Sequence, residues 1–229
     1  MNKINSMKKV LFIAVAVFLG LNLTAQNYEK HNFSMKAGYA HSFSESHPTQ
    51  LTNTIDNPDQ VKRMKHDVHF EFDYDYRFSK YFSAGMKASM LVGFHSFDKV
   101  VGSDTVLYSD DKNVFYVGPS FKAQLPTIAE KFDIWAKASL GYMKTRLTDK
   151  AAMSAIYSGD CLGYGFEAGV DYLFSDHIGI GFNVEYLAGK VKTFKTAEDE
   201  IDISQTPENL GRLNLSLGVV IKLYKDLLP

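Results

Sequence analysis

Residues 67–76 read Asp-Val-His-Phe-Glu-Phe-Asp-Tyr-Asp-Tyr. Polar side chains hold every odd position and apolar ones every even position. A strand points successive side chains to opposite faces, so this stretch has one polar face and one apolar face. Wound as a helix, it would scatter both kinds around the axis. The stretch reads as a strand whose two faces meet different surroundings.

The same period of two recurs seven more times along the chain. Residues 33–43 set Phe33, Met35, Ala37, Tyr39 and Phe43 against Ser34, Lys36, Gly38 and Ser42. Residues 82–94 set Phe82, Met86, Met90 and Phe94 against Ser83, Gly85, Lys87 and Ser89. Residues 115–123 set Phe115, Val117 and Phe121 against Tyr116, Ser120 and Lys122. Residues 132–142 set Phe132, Ile134, Leu140 and Tyr142 against Asp133, Lys137 and Ser139, with Trp135 an exception. Residues 162–174 set Tyr164, Phe166, Tyr172 and Phe174 against Gly163, Glu167 and Asp171. Residues 178–188 set Ile178, Phe182 and Tyr186 against Gly179, Asn183 and Glu185. Residues 213–223 set Leu213, Leu217 and Ile221 against Asn214, Ser216 and Lys222. Eight alternating segments with turn signals between them predict an antiparallel all-β domain.

The connections alternate in length. Short ones fall at Ser79-Lys80, at Leu125-Pro126-Thr127 and at Ser175-Asp176-His177. Long polar loops are expected at 44–66, 96–113, 145–160 and 189–211, with Pro48, Pro58 and Pro207 among them. Short turns at one end and long loops at the other are the pattern of a membrane-spanning barrel.

Composition narrows the class. The 229 residues carry a net charge of −1, a single cysteine, 45% hydrophobic and 14% aromatic content, and a mean hydropathy of −0.16. A polytopic helical membrane protein would need several apolar runs of about 20 residues. One cysteine cannot pair within the chain, near-neutral charge gives no nucleic-acid footprint, and the hydrophobic content is too high for general disorder. Residues 1–25 read as a secretory signal peptide, followed by one barrel domain over 26–229. Lys3, Lys8 and Lys9 precede the apolar run Val10 to Leu21, and small Ala25 marks a cleavage site.

Side-chain size decides which face looks inward. An eight-stranded barrel has an interior only just wide enough for side chains. The continuous, aromatic-rich apolar face would not fit there, whereas glycines, serines and a limited set of charges would. The aromatics also fall in two rows: Phe33, Tyr76, Phe78, Phe82, Phe132, Tyr172 and Phe174 at the short-turn end, and Phe43, Phe70, Phe94, Phe115, Tyr142, Tyr164 and Tyr186 at the long-loop end. Aliphatic and small residues lie between. Two aromatic girdles around an apolar belt place that face in lipid. The expectation is a closed eight-stranded antiparallel up-and-down transmembrane β-barrel. Closure follows because an unpaired edge in lipid is too costly. Pro119, which cannot donate to a ladder, predicts a bulge in the fourth strand.

On strand count, loop alternation and girdles, residues 27–224 resemble the small eight-stranded outer-membrane barrels of Gram-negative bacteria, the porin-like group that includes OmpX and the transmembrane part of OmpA. The segment Leu213 to Tyr224 resembles that group's terminal assembly signal, although five residues follow its aromatic. The resemblance implies an outer-membrane location, assembly by the barrel-assembly machinery, contact with outer-membrane lipid and lipopolysaccharide, and a monomer.

Charged residues of the polar face would meet in the narrow lumen: Lys36, Glu71, Asp73, Lys87, Lys122, Lys137, Glu167, Asp171, Glu185, Arg212 and Lys222. Buried charges must pair, so an ion-pair network filling the lumen is expected. No catalytic residue, cofactor or resident metal is expected. His69, His95 and Cys161 share the inward parity near the loop end, the one grouping suggestive of a metal site. His41-Ser42 and His95-Ser96 are adjacent pairs on opposite faces, which does not give the nucleophile and base of a lipid A-modifying enzyme. Loop material is richer: Glu45 to Met64 abounds in Thr, Asn, Asp and Pro, Glu198-Asp199-Glu200 is acidic, and Asp104-Thr105-Val106 resembles an O-glycosylation acceptor. The expected role is structural or surface interaction through four long loops. The alternatives are a narrow passive channel and, behind it, a lipid-modifying enzyme.

Overall fold

The computed structural model describes residues 29–43, 65–101, 104–125, 131–149, 155–196 and 199–223, the side chains of 95–110, 149 and 155 excepted. The expected leader at 1–25 and all but the last two residues of the expected first loop at 44–66 lie outside the described residues.

Eight long strands make the wall. They are β1 (His31–Ser42), β2 (His66–Arg77), β3 (Phe82–Val101), β4 (Asp104–Gln124), β5 (Phe132–Asp149), β6 (Ala155–Leu173), β7 (Ile178–Val191) and β11 (Arg212–Leu223). Between β7 and β11 lie three short strands, β8 (Thr193–Lys195), β9 (Glu200–Asp202) and β10 (Glu208–Asn209). Each long strand pairs antiparallel with its sequence neighbour, and β11 pairs with both β7 and β1. The sheet is therefore closed, as its lipid-facing pattern requires.

The register fixes the barrel's girth. Across the pairings, Asn32 leads through Asp75, Gly85, Ser120, Ser139, Gly165, Leu187 and Arg212 back to Ser42, ten residues further along β1. With eight strands, that stagger tilts them by about 40° and gives a backbone radius of roughly 8 Å. Such a bore holds side chains and little else.

The faces sort as the alternation requires. Met35 is 68% exposed and Phe166 60%, while Lys36 and Glu167 beside them are 3% and 5%. The apolar face meets lipid and the polar face fills the lumen. Of the girdle residues, Tyr76, Phe132, Phe174, Phe43, Phe94, Phe115, Tyr142, Tyr164 and Tyr186 are exposed. Phe33, Phe82 and Tyr172 are half-buried against their neighbours. Phe33 packs on Tyr74, Phe82 on Phe121, and Tyr172 on Phe132.

Two short turns are built alike. Asp-Tyr-x-Phe-Ser occurs at 75–79 and again at 171–175. In each, the Phe and Ser N–H groups donate to one carbonyl, Phe82 or Ile178. The Ser hydroxyl oxygen accepts from the two amides that follow across the bend. This turn chemistry keeps that end of the barrel tight.

Two expectations are corrected. The segments 96–113 and 145–160 are mostly strand rather than loop. β3 and β4 pair as far as Val101 and Asp104, and β5 and β6 as far as Asp149 and Ala155. Beyond the lipid, the outward face has no need to be apolar, so pairing continues after the hydrophobic alternation has ended. The bulge at Pro119 is also absent. A bulge would shift the register, yet β4 keeps one register with β3 and the same register with β5 on either side of Pro119. Pairing to β5 lapses over Gly118 and Pro119 only. There Gly118 and Gly141 let the backbones close up: a Cβ on Gly118 would lie 2.4 Å from the Leu140 carbonyl oxygen.

Candidate functional site: the charged lumen

The polar face of every wall strand delivers side chains to one buried network. Lys36 on β1 donates to Glu71 on β2 at 2.9 Å. Lys87 on β3 lies 3.1 Å from Glu71, 2.9 Å from Glu167 on β6 and 3.0 Å from Glu185 on β7. Lys137 on β5 meets Asp73 at 2.9 Å and Asp75 at 3.2 Å. Lys122 on β4 lies between Asp75 and Asp171, at 3.7 and 3.9 Å. Asn183 Nδ2 donates to both Glu71 and Glu167. Ser34 donates to Asp73 at 3.1 Å.

These groups are as dry as a protein core. Lys87 and Asp73 are each 1% exposed. Opposite charges within hydrogen-bond reach offset a desolvation penalty that neither sign could bear alone.

Trp135 belongs to this network. Its position inside the polar face is explained by its neighbours: the ammoniums of Lys122, Lys36 and Lys137 lie 4.5, 4.8 and 5.5 Å from its ring centre. The ring offers its electron-rich face to cations that have left water.

Two further groupings close the ends. At the short-turn end, Glu29, which precedes β1, accepts from Arg77 and from Lys222, the latter at 3.3 Å. Lys222 also donates to Asp133. Toward the loop end, His69 contacts Ser216 at 3.0 Å and Asn214 at 3.4 Å. Asn214 donates to Glu185 at 2.7 Å, and Arg212 donates to Ser89 at 3.4 Å. Above them an apolar cluster fills the mouth: Ala40, Leu91, Val114, Tyr116, Met143, Leu147, Leu187, Val191, Phe194 and Leu210. Phe194 lies on β8, which pairs with β6, and Leu210 just after β10, which pairs with β7, so the wall extended beyond β7 adds their side chains to this cluster. Among the described residues, the expected interior of small and charged groups is thus only its lower part.

The structure brings Lys36, Glu71, Asp73, Lys87, Lys122, Lys137, Glu167, Asp171 and Glu185 into one continuous set. It places Lys222 apart at the short-turn mouth and Arg212 toward the loop end. Sequence reasoning passed over Asp75, Arg77, Asp133, Asn183 and Asn214 as members, although their parity points them inward. Glu29 precedes the first alternating segment and carried no such signal.

Of the grouping His69, His95 and Cys161, the described side chains lie in different surroundings. Cys161 packs against the apolar cluster, His69 sits with Glu185, Asn214 and Ser216, and the His95 side chain lies outside the described residues. Ligand atoms of His69, Glu71 and Glu185 do lie within 4.8 Å of one another. Lys87 already contacts both carboxylates, so an ion there would have to displace it.

A closed, charge-filled barrel of eight strands with a lipid-facing exterior is the architecture of an integral outer-membrane protein. The chain belongs to the outer membrane protein beta-barrel domain family, whose model matches residues 13–220. Among solved structures, Neisserial surface protein A (NspA) is similar at 13% identity and a TM-score of 0.55, over 84% of this chain and 97% of that one. OprG from Pseudomonas aeruginosa aligns at 13% identity and a TM-score of 0.48, over 87% and 99%. Ail, the attachment invasion locus protein of Yersinia pestis, aligns at 18% and 0.43, over 84% and 99%, in a complex with the heparin analogue sucrose octasulfate. The NspA likeness shows a shared fold. No curated protein matches.

Proposed function

We propose that this outer-membrane barrel works through its external surface, as an envelope-stabilising or surface-interaction protein, and not as a conduit. One observation carries the reading: the described side chains that point into the lumen are buried against one another at two levels. A charged network with side chains 0–4% exposed lies below an apolar cluster that includes Phe194 and Leu210. An ion crossing it would have to part several buried salt bridges, each costly to leave unpaired.

The same packing argues against catalysis in the lumen. Glu71 and Glu167 are each held by lysines and are not presented to a cleft. The partners that fit are outer-membrane lipid and lipopolysaccharide around the wall, the barrel-assembly machinery during insertion, and loop partners outside. Lys144, Arg146, Lys190 and Lys192 are exposed on strands β5 and β7 or just beyond them, past the Tyr142 and Tyr186 girdle. That is the height at which lipid phosphates meet cations. The barrel functions as a monomer in this reading, its wall closed without a second copy.

Planar-bilayer recording tests the proposal. The folded barrel is expected to give no conductance above baseline. Discrete, reproducible single-channel steps would replace it with the narrow-channel reading.

A further inference from the structure

We propose that His41 and His66 form a binding site for a divalent transition-metal ion of imidazole-seeking character, zinc or copper, on the outer rim of the barrel. The two histidines stand directly opposite each other on β1 and β2. Both point outward, in phase with exposed Tyr39 and Phe43. The neighbouring residues form a hydrogen-bonded pair, in which the Ser42 N–H donates to the Lys65 carbonyl at 2.8 Å. His41 and His66 are therefore a non-hydrogen-bonded pair, the kind whose side chains approach most closely.

The ring geometry fits one shared ion. The imidazole centres are 5.1 Å apart, with planes inclined at 50°. Two imidazoles bound to a single tetrahedral zinc, with Zn–N distances of about 2.0–2.1 Å, have ring centres roughly 5 Å apart. The pair sits at that separation.

Tyr39 supplies the supporting contact. Its hydroxyl meets His66 Nδ1. With the Nδ1 proton donated to the tyrosine oxygen, the lone pair is left on Nε2 for the metal, an arrangement typical of ligating histidines. Phe43 packs edge-on against His41 at 5.6 Å and limits its rotation. The remaining coordination positions face outward and take water. The contrast with His69 is direct: that ring is surrounded by Ser216, Asn214 and Glu185 in the closed lumen, whereas His66 is exposed.

The test uses the whole folded barrel in lipid, prepared without a polyhistidine tag. Cu2+ is added for electron paramagnetic resonance and Zn2+ for calorimetry. The wild type is expected to show two equatorial imidazole nitrogens on copper. His41→Ala and His66→Ala each reduce that to one and weaken zinc binding at least tenfold. Tyr39→Phe, which removes the supporting oxygen, weakens it about tenfold. His177→Ala, in a turn at the other end, leaves both readouts unchanged. Heat-modifiable mobility checks folding, and His41→Gln and His66→Gln stand in for any alanine variant that does not fold. A wild type lacking a two-nitrogen copper species, or identical spectra and affinities in the His41 and His66 variants, overturns the proposal.

Discussion

Lys87 and Glu167 stand 80 residues apart in the chain, on β3 and β6, and their charged atoms meet at 2.9 Å inside the barrel. The same ammonium reaches Glu71 and Glu185, so one lysine ties four strands of the wall together.

Replacing that lysine strands several carboxylates at once. Lys87→Met is expected to destabilise the folded barrel by about 3–5 kcal/mol, the usual cost of breaking a buried pair from one side. Adding Glu167→Gln should restore part of the loss, because one of the abandoned charges goes with it. Guanidinium midpoints in lipid vesicles measure both; a midpoint that stays put in Lys87→Met refutes the account.

Trp135 is the chain's single tryptophan and is 4% exposed. Because it faces the lumen, brominated acyl chains should leave its fluorescence untouched, and iodide should quench it little. Strong quenching by the lipid-borne bromine would put the ring on the wrong side of the wall.

The β4–β5 seam has no room for a side chain at Gly118, where an added Cβ would also fall 2.5 Å from the Gly141 Cα. Gly118→Val should cost about 1–3 kcal/mol or block closure, as overpacking of a tight contact does. Folding yield by heat-modifiable mobility reads this directly, and a wild-type yield would contradict it.

Glu29 gives the short-turn mouth a pH dependence. Burial pushes its carboxyl up, but Lys222 and Arg77 more than offset that and hold it below its ordinary value of 4.5. A depressed folded-state pKa stabilises at pH above the ordinary value and loses its effect as pH falls through the folded value. Glu29→Gln should therefore lower stability near neutrality, by about 2 kcal/mol for a lost charged hydrogen bond. That difference should shrink steadily below pH 4.5. A pH-independent gap between the two proteins would rule the contact out as its cause.

The fold was legible because lipid and lumen impose opposite demands on alternate residues, as in Asp67 to Tyr76. Where that contrast stops, so did legibility. From Asp104 to Lys112 both faces of β4 are polar or mixed, and a paired strand there looks like a loop. Pro119 suggested a bulge because the missing N–H is visible in sequence, while the close approach of Gly118 to Gly141 is a tertiary fact. In the lumen, parity alone pointed Lys36, Glu71 and Lys87 inward. It could not say that Arg212 and Lys222 would part company with the rest, since that depends on tilt. Trp135 looked anomalous only because an aromatic was assumed to want lipid; three lysines give it another solvent. The His41–His66 pairing depends on register, which the 23 residues between the two strands conceal.

The seam between β1 and β11 joins His31 to Leu223. The first strand of the wall therefore cannot finish its hydrogen bonds until the last has been delivered across the inner membrane. Throughout that interval the polypeptide must travel unfolded without lodging in the bilayer it passes through. Beyond residue 25 the chain holds no apolar run approaching the ~20 residues that would arrest it there. The placement of a polar residue at every second position thus does two jobs at different times: it furnishes the lumen of the finished barrel, and before that it lets the chain through a membrane in which it must not stay.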